Sequence, residues 1–227
     1  MTNQDYKNAA LAALKGNWAP AVLATVVFVL IALVCVSGSE VNTFVPGMPM
    51  KTVLAFAGGT TLLELFILLP LDLGFYWAFK LLLDKGDADL TKNTFKYGFN
   101  GYWHNVGGYF FMELKVILWC LLFLIPGFVM SFAYAMTPFI LKDNPEISAW
   151  KASTRSREMM KGHKFDLFWL YLSFIGWGLL CILTLGIGLL WLVPYMTEAT
   201  AAFYNDISGK NAPVAVEAAP AAEIAEN

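Results

Sequence analysis

The chain has 227 residues, 58 % of them hydrophobic, with a mean hydropathy of +0.59 and a formal net charge of −2. A soluble domain is usually about half apolar or less, so runs of Leu, Phe and Trp of this length exclude an ordinary water-soluble core. The small net charge gives no global field for nucleic acid. The three cysteines, Cys35, Cys120 and Cys181, each stand alone in an apolar run, which excludes the C-x-x-C pairs of a zinc site and an even disulfide framework.

Residues 2–15 predict a short amphipathic helix, with Tyr6, Ala9, Ala10 and Ala13 on one side and Gly16 closing it. Residues 19–37 are nearly pure hydrocarbon, about the length that a bilayer core needs. The polar lead is long and holds only Lys7 and Lys15. No clean small-x-small cleavage site follows, although Ser37-Gly38-Ser39 is tolerable, so a retained first span is expected. Residues 38–52 read as a loop with Pro46, Gly47 and Pro49. Residues 53–83 are too long for one upright crossing and contain Glu64, Pro70 and Asp72. A tilted or proline-kinked single span fits best.

Residues 84–105 are polar. Their DKGDAD start resembles a calcium loop only superficially, because Phe95 stands where an EF-hand closes with glutamate. Phe95, Tyr97, Phe99, Tyr102 and Trp103 suit a membrane-interface belt. Residues 106–141 form an apolar block broken at Pro126-Gly127. Residues 142–162 then predict one amphipathic helix, capped by Asn144, with Pro145 in its first turn and Gly162 at its end. Ala149, Ala152, Ser153, Ser156, Met159 and Met160 share one face of it. Lys151, Thr154, Arg155 and Glu158 share another. Residues 165–204 form a second apolar block, broken near Gly186 and Gly188 and long enough for two crossings at 1.5 Å per residue. The tail 208–227 is rich in Ala, Pro and Glu and reads as disordered.

Charge selects a topology, because cytoplasmic loops collect Lys and Arg. Lys7 and Lys15, then Lys80, Lys85, Lys92 and Lys96, then Lys142 through Lys164 mark three cytoplasmic segments. The block 106–141 must then cross twice. The expected fold is an all-α, polytopic transmembrane bundle over residues 1–207. It has about six spans, near 19–37, 53–83, 106–125, 128–141, 165–184 and 187–205, a cytoplasmic amphipathic helix, and both termini inside. Four full spans plus re-entrant hairpins is the alternative.

LKGNW at 14–18, IPG at 125–127, YAMTPFILKDNPEISAW at 134–150, SREMMKGHKFDLFWLYLSFIGW at 156–177 and LTLGIGLLWLVPYMTEATAAFY at 183–204 together resemble the bacterial family called domain of unknown function 975. The resemblance implies an integral protein of the bacterial cytoplasmic membrane. It implies no catalytic residues.

Ionisable groups at bilayer depth cost about 2.5–3.5 kcal/mol each on insertion scales, so they usually have partners or functions. The candidates are Glu64, Asp72, Glu113, Lys115 and Glu198. Asp72, Tyr76 and Lys80 follow one helical face and suggest an internal ion pair or a snorkelling set. Glu113 and Lys115 point to different faces and are expected to mark an interface, with a span starting near Val116. Glu198 is expected either to accept hydrogen bonds from nearby hydroxyls or to pair with Lys115. Glu64 with Asp72 would make a paired carboxylate site. Gly127, Ser131 and Ala135 form a small-residue stripe suited to close helix packing. Lys151, Arg155, Arg157 and Lys161 form a candidate face for lipid headgroups or a partner.

No H-E-x-x-H, G-x-S-x-G, Walker A or G-x-G-x-x-G motif occurs. Ser148-Ala149-Trp150-Lys151 fits S-x-x-K, a pattern short enough to arise by chance. His104 and His163 read as interface residues. No enzyme activity, metal or cofactor is expected. The expected partners are the bilayer, anionic lipid or another membrane protein. A small transporter using the intramembrane carboxylates is the other reading.

Overall fold

A computed structural model describes residues 2–44, 64–122 and 124–209. Those residues are helical, with no strand among them. Helix α1 (Asn3–Leu14) starts at a capping box: Thr2 accepts from the Asp5 amide, and the Asp5 carboxylate accepts from the Thr2 amide at 2.7 Å. Gly16, at φ +86°, turns the chain into α2 (Trp18–Phe44). Helix α2 continues through Ser37-Gly38-Ser39, so the loop expected at 38–52 does not begin before residue 45. The apolar run drops in hydropathy there without losing its helix, and an isolated glycine costs a helix only about 1 kcal/mol.

A π-helical turn (Glu64–Leu68) leads into α3 (Leu69–Lys85), with Pro70 in its first turn. This locates the kink expected near Pro70, and residues 53–63 lie outside the described residues. Gly86, at φ +67°, caps α3 and reverses the chain. Helix α4 (Leu90–Phe99) then runs back along α3. The polar segment 84–105 is therefore not merely a loop. Its Leu90, Asn93, Thr94 and Gly98 are buried against α3, while Phe95 and Phe99 are exposed. The two backbones meet at glycines. A Cβ on Gly74 would lie 2.1 Å from the Thr94 carbonyl oxygen, and one on Gly98 2.5 Å from that of Pro70.

Helix α5 (Tyr102–Leu122) and α6 (Leu124–Tyr134) form a hairpin. Pro126-Gly127 lie within α6, and residue 123 lies outside the described residues. Pro126 sits in the first turn of α6, where the missing N–H has no intrahelical acceptor to lose. Helix α5 runs unbroken from Tyr102 through Val116. At eleven residues α6 is about 16 Å long, half a bilayer core. After a short break α7 (Thr137–Asp143) follows. Asn144 ends α7, its amide bonding the Ile140 carbonyl at 3.0 Å. The amphipathic helix is consequently shorter than expected. It is α8 (Ala149–Met159), capped by Ser148 rather than Asn144. Pro145 could not continue α7, and the next residue able to cap is Ser148.

Helices α9 (Lys164–Leu172) and α10 (Ile175–Leu183) are nearly continuous, and a turn at 184–188 returns the chain as α11 (Leu189–Ile207). Leu185 (φ +52°) and Gly186 (φ +87°) make this turn. Among the described residues, three segments are long and apolar enough to cross a membrane: Trp18–Cys35, Phe66–Lys85 and Lys164–Leu183.

Helix α11 is the central post, packed by α1, α2 and α3. Tyr6 meets Phe203 edge-on at 5.3 Å, Phe139 stacks on Tyr204 at 4.9 Å, and Phe174 meets Tyr195 at 4.9 Å. Gly74→Ala is expected to lower stability by about 1–3 kcal/mol through overpacking against the α4 backbone. Gly176→Ala, with no atom within 4 Å of its Cβ, should leave stability unchanged or raise it by up to about 1 kcal/mol. Thermal unfolding of the two variants in detergent checks this difference.

Candidate functional site

Polar side chains gather inside the bundle while large apolar ones face outward. Lys80 is 2 % exposed, whereas Leu183 and Leu185 are 81 % and 94 % exposed. The ammonium of Lys80 donates to Asp84 one turn on, lies 3.9 Å from Asp143 of α7, and sits over the Trp77 ring at 4.9 Å. Tyr204 donates to Asp143, and Asn205 donates to Asp84. One cation, two carboxylates, a phenol and an amide thus join α3, α7 and α11.

A second polar group lies farther along α3. Asp72 accepts from the Tyr109 hydroxyl of α5, and the half-buried Glu113 is one turn beyond Tyr109 on the same helix. The expected set of Asp72 with Lys80 does not form. They are eight residues apart, about 12 Å along the helix, and Asp84 offers Lys80 a partner at i+4. Glu64 opens the π-helical turn, and its side chain lies outside the described residues, so its pairing with Asp72 does too.

Glu198 is fully buried on α11, and neither carboxyl oxygen has a hydrogen-bond partner among the described residues. Both expected partnerships are absent. The Thr197 and Thr200 hydroxyls donate to Val193 and Met196 carbonyls of their own helix, and Lys115 is engaged elsewhere.

Lys115 donates to Ser153 of α8 and lies over the Trp150 ring at 3.6 Å and the Tyr134 ring at 5.6 Å. Ala152, Ser153, Ser156 and Met160 are buried, and Ser156 donates to the Ala133 carbonyl of α6 at 2.9 Å. This contact with α6 falls at Ala133, beside the stripe Gly127, Ser131 and Ala135. Lys151, Arg155, Arg157 and Lys161 are exposed. A cavity of about 350 Å³ is lined by Lys115, Trp119, Tyr134, Trp150, Thr154 and Arg157. A second cavity of about 450 Å³ is almost wholly apolar, with Leu11, Trp18, Trp177, Trp191, Leu192 and Tyr195 in its wall.

Two features carried no clear sequence signal. Asn105 donates to the Tyr97, Gly98 and Asn100 carbonyls, closing the end of α4. Lys142 reaches the same end and donates to Tyr97 and Asn100, where the helix dipole favours a cation. Burial nevertheless pushes its amine down to about 8. The signal for these contacts was only a lone Asn and Lys in otherwise apolar or aromatic surroundings.

This is a helical chain with helices apolar enough to cross a membrane and an ionic interior. Residues 106–211 match the family described as a protein of unknown function (DUF975), the family that the sequence motifs resemble. The match runs from the first turn of α5 past the end of α11, and LKGNW at 14–18 lies outside it. No curated protein and no solved structure matches the chain.

Asp143→Ala should cost about 1–3 kcal/mol, because it removes the carboxylate that accepts from the Tyr204 hydroxyl, while Lys80 keeps Asp84. Glu198→Met should instead leave stability unchanged or raise it by about 1–3 kcal/mol, since it removes a buried group without partners. Unfolding of both variants in detergent distinguishes the two roles. Lys142 holds its proton less well folded than unfolded. Its contribution to stability should therefore rise between about pH 8 and the ordinary lysine value of 10.5. Lys142→Gln should flatten that rise in a pH series of melting curves.

Proposed function

We propose that the protein is a non-enzymatic, multi-pass helical bundle of the bacterial cytoplasmic membrane, with both termini cytoplasmic, that associates with lipid or a membrane partner. The observation that carries this reading is the inverted distribution of side chains. Lys80 and Glu198 are buried and Asp143 is half-buried, while Trp, Leu and Ile of α2, α5, α9 and α10 turn outward. Water would favour the opposite arrangement, and hydrocarbon favours this one. The short α6 is compatible with a second crossing and with a re-entrant hairpin, and α8 belongs with the cytoplasmic basic segments. The buried hydroxyls mostly donate to backbone carbonyls, and Lys80 is paired with Asp84, which supports a structural role for them.

A second reading, a small cation- or proton-coupled transporter, draws on Glu198. A buried carboxyl without a partner in an apolar helix is a common feature of ion pathways. Under that reading Glu198→Gln abolishes transport in vesicles while leaving the fold intact.

Topology reporters test the main reading. Fusions at 95, 152 and 220 should report cytoplasm, and fusions at 123 and 186 the opposite side. A reporter at 152 that is active outside would overturn it. A cytoplasmic signal at 123 would select four full spans with a re-entrant hairpin.

A further inference from the structure

We propose that the cavity between α5 and α8 binds the phosphate of an anionic phospholipid, with Lys115 and Arg157 holding the phosphate oxygens and Trp150 and Trp119 flanking the headgroup. The inference rests on the membrane reading above and adds a ligand class and a site to it.

Its basis is an uncompensated pair of cations. Lys115 stands in an apolar helix, and Arg157 lies on the exposed edge of α8, yet both line one cavity of about 350 Å³. Among the described residues no carboxylate pairs with either, and the Arg157 guanidinium makes no hydrogen bond. Lys115 gives one bond to Ser153, which leaves two of its three donors available, and Arg157 brings five more. The Thr154 hydroxyl on the same wall spends its one proton on the Trp150 carbonyl at 3.0 Å, so the two cations supply the donors. Two like charges beside one another in a site partly removed from water require a counter-charge. A phosphate meets the fork of an arginine and the point charge of a lysine together.

The surroundings select a lipid over a soluble phosphate. Ile117 and Leu118, the neighbours of Lys115 and Trp119 on α5, are 57 % and 55 % exposed. The cavity therefore opens beside an apolar face along which acyl chains run. Trp119 and Trp150 are the residue type that settles at the headgroup level. The volume suits a headgroup, at the lower end of the about 300–1,000 Å³ of ligand pockets.

The test uses the full chain purified in neutral detergent and titrated with phosphatidylglycerol or phosphatidylcholine, with binding read by native mass spectrometry. The wild type should bind phosphatidylglycerol at least tenfold more tightly. Arg157→Gln, an exposed change that spares the fold, should reduce that preference severalfold. Lys115→Gln with Arg157→Gln should abolish it, and Lys115→Arg should retain it. Lys85→Gln and Lys92→Gln remove the same charge elsewhere and should leave the preference intact. The assignment fails if Arg157→Gln and the folded double variant keep the preference within twofold, or if the control variants lose as much as they do. It fails equally if inorganic phosphate displaces phosphatidylglycerol at equal concentration, which would make the site one for soluble anions. None of these failures would alter the topology result, so a wrong site and a wrong membrane reading give different outcomes.

Discussion

Lys80 holds the bundle together at a point where three distant parts of the chain meet. Its ammonium is shared between Asp84 and Asp143, which in turn receive Asn205 and Tyr204. Apolar burial gives helices little reason to associate in hydrocarbon, because lipid tails are as apolar as leucine. Polar bonds and close packing must supply the specificity. The bonds that Lys80, Tyr204 and Asn205 give to these two carboxylates set α3, α7 and α11 in one register. The Phe139–Tyr204 stack and the Lys80–Trp77 contact fill the space around the charges with aromatic rings.

The second constraint is steric. Helix α4 lies against α3 with no room for a side chain at Gly74 or Gly98. Asn93 and Thr94 are buried in that contact, and Lys142 and Asn105 close the end of α4 from two other elements. A segment that reads as a polar loop is thereby drawn into the body of the fold. Its outer face carries Phe95, Phe99, Tyr102 and Trp103 in consecutive ring contacts, which suits an interface belt.

Helix α8 connects the fold to the candidate lipid site. Its small residues Ala152, Ser153 and Ser156 pack on α5 and α6, and this packing carries Arg157 and Trp150 to Lys115. The same helix is thus a packing element on one side and a charged rim on the other.

Helical class, the presence of helices apolar enough to cross a membrane, the turn near Gly186 and the two faces of α8 were legible in the sequence, because each follows from local composition and period. The family resemblance over residues 106–211 was legible too, since its motifs are strings of adjacent residues. Partnerships were not. Lys80 passes over Asp72 for Asp84 and Asp143, Lys115 passes over Glu198 for Ser153 and Trp150, and Glu198 is left without a partner among the described residues. Helical period says which residues share a face of one helix. Which face of another helix it meets depends on crossing angles and on contacts such as Gly74 with Thr94, and only the tertiary structure decides those.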